Sequence, residues 1–335
     1  MSRFLKDLIM SSNIPSSEFF QGDVIWKPAS DIATWKTPIV TVVTVCFNPL
    51  REGRQNLFAL NLDSVQRQVG VPLEHLIIDG ASSDGTLDFL SAFDNKCHDI
   101  RILSKDDSGI YEAMNRGIAL ARGKFVIFLN SDDYYHRADG LALSLKALEE
   151  SDFSFTFAPV LPKGPHTRFT HYHHPQRRLH KLFISNTIPH PSMLYRRETL
   201  LEVGGYDQTY RLAADYDLTL RLISSGHKGC FVNHCFATFV TGGFSTQDKN
   251  KELEIKEKIQ MVRNAHREAF GIELSEQESE VLVMKSRYPR KYLSVYVASQ
   301  ETLSHAFVGL PKGMGYQIVR RFNYYKYYLK CLLSF

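Results

Sequence analysis

The sequence predicts an α/β fold with a single, mostly parallel, Rossmann-like sheet flanked by helices and followed by a helical C-terminal extension. Ile39–Val45 is rich in β-branched residues, which favour a strand. Strand-like and helix-like segments then alternate four times within about ninety residues, the order that βαβ units with right-handed crossovers produce. Phe125–Leu129 is a short apolar run ending in turn residues, which is typical of a strand buried inside a parallel sheet.

The elements between these two strands follow from local patterns. Apolar residues at roughly helical spacing predict a helix over Asn56–Val69. A later helix carries one apolar face at i, i+4, i+8 and i+11, starting from Ile110, and Gly123 is positioned to end it. The remaining elements are, in chain order, a strand over Leu76–Ile78, a helix over Thr86–Phe93 and a strand over Ile100–Leu103.

The second half of the chain is less regular. Phe153–Phe157 and Phe236–Thr241 predict strands, and Ala213–Ile223 predicts a helix. Residues 249–270 indicate a helix whose charges alternate in sign. Residues 159–191 are rich in proline and histidine, which predicts a long irregular stretch, and such stretches in compact domains are often functional.

Composition and charge narrow the class of protein. The 335 residues are 44% hydrophobic and 23% charged, as in an ordinary globular α/β protein with a sizeable core. The net charge is +4, but residues 285–335 carry nine Lys and Arg against one acid, which leaves about −4 for the rest. The first strand is followed by Phe47-Asn48-Pro49 rather than a GxGxxG fingerprint, which disfavours a dinucleotide-dependent dehydrogenase.

Cysteine usage and the N-terminal residues predict a cytoplasmic location. The five cysteines are scattered, without a CxxC pair, which favours a reducing compartment. Lys6 and Asp7 interrupt the apolar region that a signal peptide would need. The best apolar stretch, Pro38–Phe47, is about half as long as a membrane span.

Acids recur in pairs at the ends of predicted elements. The pairs are Asp79 with Asp84, Asp132 with Asp133, and Asp215 with Asp217. Ligands of parallel sheets bind beyond the carboxyl ends of the strands, and carboxylates placed there can hold a divalent cation or hydrogen-bond a nucleotide. Asp and Ser also form turns and helix caps, so each pair considered alone is equally compatible with a structural turn.

Three segments resemble the signature blocks of the family 2 glycosyltransferases. They are Ile77–Thr86 (IIDGASSDGT), Ser104–Asp133 and Ala213–Leu222 (AADYDLTLRL), in the family's order and at plausible spacing. The resemblance runs from about residue 38 to residue 243, some 60% of the chain. It implies a GT-A fold and an enzyme of bacterial capsule, O-antigen or exopolysaccharide biosynthesis.

The resemblance also implies roles for single residues. Asp79 matches the acid that reads the nucleotide base, usually uracil. Asp132 matches the last acid of the metal-binding D-x-D motif, and Asp215 matches the catalytic base. The chain departs from the family pattern at Asn130, which replaces the first acid of that motif, and at Ala214, where relatives often have Glu. Asp133 is left open, as a water-mediated ligand or a cap of the next helix, and Asp217 is interpreted as structural.

Further assignments rest on position within these blocks or, for Asn48 and His190, beside a predicted strand. On the nucleotide side they are Asn48, Asp84, Tyr111, Asn115 and Ser131, of which Tyr111 and Asn115 share a helix face at i, i+4. Asn48 has an alternative turn role before Pro49. His190 is placed on the acceptor side, against the alternative of a structural histidine. The cluster His171, His173 and His174 is interpreted as an exposed loop rather than a metal site.

The resemblance implies an inverting transferase that uses Mg²⁺ or Mn²⁺ and moves a sugar from a nucleotide donor, a UDP-sugar, to a glycan or lipid-linked acceptor. One alternative is a non-catalytic sugar-nucleotide-binding protein that kept the fold; a nucleotidyltransferase is disfavoured because no Gly-rich basic loop follows the first strand.

We divide the chain into a lead-in (1–37), a glycosyltransferase domain (38–248) with nucleotide-binding (38–133) and acceptor-binding (134–248) halves, and a basic, aromatic extension (249–335).

The last twenty residues predict a location for the tail. From Tyr316 to Phe335 a helical stripe of apolar and aromatic residues lies beside Arg and Lys. This pattern favours a helix lying on an anionic membrane surface over nucleic-acid binding. The alternative is a helix that packs on the catalytic domain with a solvated basic face. We therefore expect a cytoplasmic protein that is peripheral on the inner membrane face.

Overall fold

The computed structural model describes residues 24–27, 37–93, 97–164, 178–243, 250–288 and 292–308. Its strands in chain order are β1 Val24–Lys27, β2 Val40–Cys46, β3 Leu73–Asp79, β4 Asp99–Ser104, β5 Phe125–Phe128, β6 Tyr134–Tyr135, β7 Phe155–Phe157, β8 Val160–Lys163, β9 Leu194–Arg196, β10 Gly229–Phe231, β11 Ala237–Val240 and β12 Phe307–Val308. Its α-helices are α1 Gln55–Gln66, α2 Thr86–Ala92, α3 Ile110–Leu120, α4 Gly140–Glu149, α5 Arg197–Glu202, α6 Ala214–Ser224, α7 Lys251–Phe270, α8 Glu276–Lys285 and α9 Leu293–Ala306. Short 3₁₀ segments lie at Arg51–Gly53, Leu179–Ile184 and His190–Ser192.

The main sheet, within the described residues, has the strand order β1-β4-β3-β2-β5-β9-β7-β10-β12. Its centre, β4-β3-β2-β5, is parallel, whereas β9 runs antiparallel to both of its neighbours. Strands β2, β3 and β5 are buried along their whole length, as expected when helices cover both faces of a parallel sheet. The predicted mostly parallel α/β sheet is confirmed.

A second, small sheet was not predicted. It consists of β6, β11 and β8, with β6 antiparallel and β8 parallel to β11. Strand β8 lies inside the stretch 159–191, for which the prediction of irregular structure is wrong over Val160–Lys163. Strand β6 directly follows the acids after β5, so that acidic turn connects the two sheets.

The lead-in also contributes to the sheet. Val24–Lys27 pairs antiparallel with β4, with Val24 opposite Leu103, and forms one edge of the main sheet. The lead-in, in which the sequence predicted no element, therefore contains a strand at these four residues. A four-residue strand is too short to show a period, and its partner lies more than seventy residues away in the chain.

Helix α3 packs closely on the centre of the main sheet. A Cβ atom added to Gly117 would lie 2.5 Å from Cγ1 of Val43 on β2, so only glycine permits this approach. Most of the other residues of α3 are buried, including Asn115 and Arg116. This contact holds the helix that carries Tyr111 and Asn115 against the sheet.

The C-terminal extension is joined to the catalytic domain by its core. Met261 and Ala265 of α7 and Leu303 of α9 belong to the same hydrophobic cluster as Val43 of β2. Strand β12 adds to the sheet beside β10 and runs parallel to it. The predicted helical extension is thus confirmed over the described residues, and the domain boundary at 248 stays a prediction.

Two sequence-based interpretations lie outside the described residues. They are the amphipathic tail from Tyr316 to Phe335 and the cluster of His171, His173 and His174. Within the described part of the chain, no helix is both long and apolar enough to cross a bilayer.

Candidate functional site

The carboxyl edge of the parallel strands gathers the predicted nucleotide-side residues. Asp79 is the last residue of β3 and lies opposite Cys46 of β2 in the sheet register. Residues 130–133 follow β5, which pairs with the other side of β2. Because the carboxyl ends of parallel neighbours meet at one edge, the structure brings these acids together there.

Asp79 organises the loops of this edge. It is fully buried, and Oδ2 accepts hydrogen bonds from the Ser82 N–H at 2.9 Å and the Ser104 hydroxyl at 2.7 Å. Oδ1 accepts from the Ser82 hydroxyl and, at 3.6 Å, from the Cys46 thiol. The carboxylate therefore joins the ends of three neighbouring strands, and its predicted contact with a base stays a prediction.

Asn48 and Asp84 link the loops that follow β2 and β3. Asn48 has a left-handed backbone (φ 48°), and its side-chain oxygen accepts from the Ser83 N–H at 2.9 Å. Asp84 accepts from the Leu50 N–H at 2.8 Å and from the Thr86 hydroxyl at 2.5 Å. Burial opposes ionisation of Asp84, but the hydrogen bonds from Thr86 and Leu50 outweigh it and lower its pKa. Direct nucleotide contacts of both residues stay predictions.

Phe47 and Asp107 lie at the same edge and were not singled out by the sequence. The Phe47 side chain is 68% exposed although it directly follows a buried strand. A Cβ atom on Gly80 would lie 2.8 Å from Oδ2 of Asp107 and 3.4 Å from the Phe47 ring. Burial raises the pKa of Asp107. The structure therefore places an open aromatic face beside a half-buried carboxyl group.

Asn61 of α1 fixes the acidic turn after β5. Its side-chain amide donates to the carbonyl oxygens of Asn130 and Asp133, each at 2.9 Å. One oxygen of the Asp133 carboxylate accepts from the Val240 N–H at 2.8 Å, which ties the turn to β11. The alternative in which Asp133 caps the next helix is wrong, because α4 begins seven residues later at Gly140 and Asp133 faces β11 instead.

The side-chain oxygens of this turn fit a divalent cation. Asn130 Oδ1 and Asp133 Oδ2 are buried and have no hydrogen-bond partner among the described residues. Burial raises the pKa of Asp132, and burial together with the Asp132 charge raises that of Asp133 well above its usual value. Mg²⁺ and Mn²⁺ prefer oxygen ligands, and a cation would offset the cost of burying these carboxylates.

The protein supplies only part of a coordination sphere. Among the described residues, no group of three or more His, Cys, Asp or Glu side chains is arranged to hold a metal ion. Gly243 leaves room beside the turn, because a Cβ there would lie 2.7 Å from Oδ2 of Asp132. Ser131 is half-buried in the same turn. A bound cation would therefore take further ligands from elsewhere, and phosphate oxygens suit that role.

Asp215 lies in the first turn of α6 and is partly exposed. The Asn186 side-chain amide donates to its Oδ2 at 3.4 Å. The Tyr111 hydroxyl lies against the backbone N–H groups of Ala214 and Asp215, and burial raises the pKa of Tyr111 well above 10. Ala214 is fully buried and belongs to the main hydrophobic core.

An aromatic cluster around Tyr206 connects Asp215 to the end of β5. The ring of His190 stacks on Phe128 at 5.5 Å, and its Nε2 is 2.6 Å from the Tyr206 hydroxyl. Tyr111 stacks on Tyr206 at 5.5 Å. Burial lowers the pKa of His190, which favours the neutral ring. These contacts are those of a packed, hydrogen-bonded histidine, and the acceptor-side role stays a prediction.

Asn115 is fully buried on the same helix as Tyr111. Its amide N–H donates to the Tyr206 carbonyl and its oxygen accepts from the Tyr206 N–H, both at 2.8 Å. It therefore links α3 to the loop before α6, and its predicted nucleotide contact stays untested. Asp217 pairs with Arg221 at 2.7 Å, which agrees with its structural interpretation.

Comparisons with known proteins identify the family of this chain. The model of the family described as Glycosyl transferase family 2 matches residues 41–205. An uncharacterized glycosyltransferase of Mycobacterium tuberculosis is 30% identical over 194 residues, which cover 55% of this chain and 68% of that protein. The chain belongs to glycosyltransferase family 2.

Other relatives agree with the family. A PGL/p-HBAD biosynthesis glycosyltransferase of Mycobacterium bovis is 33% identical over 166 residues, 49% of this chain and 63% of that protein, so the match spans less than two thirds of its length. The structure of Staphylococcus aureus TarS 1–349 in complex with UDP-GlcNAc superimposes with a TM-score of 0.54 at 14% identity, over 80% of this chain and 81% of that one. A mannosyltransferase of Pyrobaculum calidifontis in complex with GDP-Man and Mn²⁺ superimposes with a TM-score of 0.50 at 16% identity, over 90% and 82%. These likenesses show the GT-A fold.

The family 2 match covers the nucleotide side but not Asp215. Residues 41–205 include Asp79 and Asp132, whereas Asp215 lies ten residues beyond the matched segment. In this family 2 glycosyltransferase, the assignment of the base therefore rests on the resemblance of the block from Ala213 to Leu222. The exposure of Phe47 and the buried contacts of Asn61 were missed, because sequence periodicity does not report exposure or tertiary contacts.

Proposed function

We propose that this protein is an inverting glycosyltransferase that transfers a sugar from a UDP-sugar to a hydroxyl group of a glycan or lipid-linked acceptor in surface polysaccharide biosynthesis. The observation that carries the proposal is the pair of buried side-chain oxygens, on Asn130 and Asp133, that lack partners among the described residues beside Asp132. They lie at the sheet edge where nucleotides bind in α/β folds.

The nucleotide would bind beside Phe47. Its exposed ring can stack on a base, and base–aromatic stacking contributes about 1–3 kcal/mol. The N–H of a uracil ring would find a carboxyl acceptor in Asp107, which borders the same corner. The resemblance assigns this contact to Asp79, which is buried and would have to release a bond from Ser82, Ser104 or Cys46 to make it. The UDP complex of one structural relative supports uracil, whereas the GDP-Man complex of the other makes guanine the competitor to test.

Asp132 would hold a Mg²⁺ or Mn²⁺ ion, with Asn130 and Asp133 as the oxygens next to it. Such a cation supplies positive charge that stabilises a departing diphosphate. The Mn²⁺ in the mannosyltransferase complex supports this requirement. Asn130 brings no charge, so this chain would neutralise the cation less than a motif with acids at both ends does.

Asp215 would act as the general base. The acceptor oxygen attacks the anomeric carbon, the bond from that carbon to the diphosphate oxygen breaks, and the hydroxyl proton moves to the Asp215 carboxylate. The transition state has oxocarbenium character, and attack opposite the leaving group inverts the anomeric configuration. Asn186 would orient the carboxylate from its position 3.4 Å away. The α6 N-terminus favours negative charge at this place.

The alternative is a non-catalytic sugar-nucleotide-binding protein, which Asn130 and Ala214 favour because each replaces an acid of the family pattern. The presence of both Asp132 and Asp215 argues against it. We retain a peripheral position on the inner membrane face as a proposal, based on the pattern of apolar, aromatic and basic residues from Tyr316 to Phe335.

A thermal-shift screen of nucleotides and nucleotide sugars, with and without Mn²⁺, tests the proposal. UDP and a UDP-sugar are expected to raise Tm only when Mn²⁺ is present, and GDP less so. Ligand at a hundred times its Kd stabilises a folded protein by about 2.7 kcal/mol, which a melting curve resolves. If no nucleotide or nucleotide sugar shifts Tm in Mn²⁺, the proposed donor class is wrong.

A further inference from the structure

The Glu257 carboxylate receives three consecutive backbone N–H groups just before the helix that carries Asp215. Oε1 accepts from the Arg211 N–H at 2.6 Å. Oε2 accepts from the Leu212 and Ala213 N–H groups at 2.9 and 3.1 Å. Glu257 belongs to α7, so these bonds connect the C-terminal extension to the connection that leads into α6.

Because Glu257 is buried, its carboxylate depends on these hydrogen bonds. The residue is only 8% exposed, and a carboxylate is almost never buried unless its oxygens are paired. Hydrogen bonds to an ionised acceptor are about twice as strong as neutral ones. Helix α6 has Ala213 at its N-cap, and alanine offers no side chain that could cap the helix. The residue at the N-cap therefore cannot hold the start of α6 with its side chain. Glu257 of α7 holds the backbone just before this helix instead.

We infer that Glu257 is a positioning residue for Asp215, an inference that rests on the proposed role of Asp215 as the base. Asp215 lies two residues after Ala213, so a shift of the 211–213 backbone displaces its carboxylate directly. The backbone that leads to the base is thereby held by α7, and Glu257 acts through residues 211–213 rather than by touching the reacting atoms.

Glu257→Gln is the decisive variant, since it keeps the size of the side chain and replaces one accepting oxygen by an N–H₂ group that faces backbone donors. We expect kcat per UDP-binding site to fall by about tenfold to a hundredfold, as for a misplaced catalytic group. The donor KM and the Kd of UDP with Mn²⁺ should stay within about twofold, because the nucleotide edge of the sheet is untouched. The substrate is the UDP-sugar that gives the largest thermal shift, and UDP release is measured.

Glu252→Gln is the matched control on the same helix. Glu252 is 83% exposed and pairs with Lys256 at 2.8 Å, one turn before Glu257 along the chain. The Glu252→Gln substitution makes the same chemical change away from residues 211–213, and we expect it to leave kcat at the wild-type value. Glu257→Asp keeps the charge on a shorter side chain and should recover part of the kcat that Glu257→Gln loses.

Counting UDP-binding sites by titration separates positioning from mere folding. If Glu257→Gln or Glu257→Asp lowers only the number of sites and kcat per site stays wild-type, Glu257 is structural and the inference is overturned. Asp215→Asn is measured in parallel. If Asp215→Asn retains turnover, the proposed base is refuted. If Asp215→Asn loses turnover while Glu257→Gln keeps the wild-type kcat per site, only the positioning role is refuted.

Discussion

The two sides of the proposed site are held in different ways. On the nucleotide side, the sheet register sets Asp79 opposite Cys46, and short loops at the ends of parallel strands bond to one another. On the other side, Asp215 follows an irregular connection whose backbone N–H groups at residues 211–213 donate to Glu257 of α7, a distant part of the chain. Binding and transfer should therefore respond to different substitutions.

The largest expected effect is the loss of transfer in Asp215→Asn. A general base contributes about 10²–10⁴ to the rate, so kcat should fall by about a thousandfold. The Kd of UDP with Mn²⁺, measured by titration calorimetry, should change by less than about twofold, because the sheet edge is intact. Equal losses of binding and transfer would show that the two sides are not separable.

Removing the proposed cation or its ligand should act on binding. Asp132→Ala is expected to weaken UDP binding in Mn²⁺ by about a hundredfold, and EDTA should weaken wild-type binding to the same level. Asp63→Ala, on the exposed face of α1 where Asp63 pairs with Arg67, is the control. Mn²⁺-dependent affinity retained by Asp132→Ala would contradict its assignment as a ligand.

His266 should make the α7 side sensitive to acid. Burial lowers the pKa of His266 to about 4, and the ring bonds to the Val262 carbonyl and the Tyr288 hydroxyl. Below pH 6.5 the unfolded chain binds a proton that the folded ring does not, so stability falls as the pH decreases from 6.5 towards 4. This residue should lower the free energy of unfolding by about 2 kcal/mol between pH 7 and pH 5.

Urea unfolding of His266→Gln at the two pH values measures this contribution. The variant should lose less stability than the wild type between pH 7 and pH 5, whatever its stability at pH 7. If His266→Gln loses as much stability between pH 7 and pH 5 as the wild type does, His266 does not titrate in this range.

The smallest expected effect concerns the exposed ring at the nucleotide edge. Phe47→Ala should raise the Kd of UDP by about tenfold, and Phe47→Tyr should keep the wild-type value, because either ring can stack on a base. Met284→Ala is the control for loss of an equally exposed apolar side chain, since Met284 is on α8 in the extension. Wild-type affinity in Phe47→Ala would remove this residue from the site.

The sequence predicts the centre of the fold because each of its elements has a pattern of its own. Strands β2 to β5 and the helices between them were located to within a few residues from β-branched runs and apolar faces. Strands β6 and β12 have two residues each and show no period. Strand β1 exists only through its pairing with β4, which no local pattern reports.

The same distinction applies to the site. Asp79, Asp132 and Asp215 could be named because their blocks are contiguous in the sequence. The partners of Asp79 are set by the sheet register. Glu257 lies 42 residues after Asp215, in a helix whose other Lys, Arg and Glu residues are exposed or half-buried. Its burial depends on how α7 packs, so its sequence context gives no signal.

Asn61 recognises only main-chain carbonyls of the acidic turn, those of Asn130 and Asp133. Main-chain atoms are the same whatever side chains the turn carries. The charge at position 130 can therefore be changed by substitution without loss of the Asn61 bonds, whereas the Asp133 carboxylate also holds the turn to β11. Asn130→Asp would place an acid at both ends of the proposed D-x-D motif, so the preference of the proposed site for one cation over another can be changed at this single position.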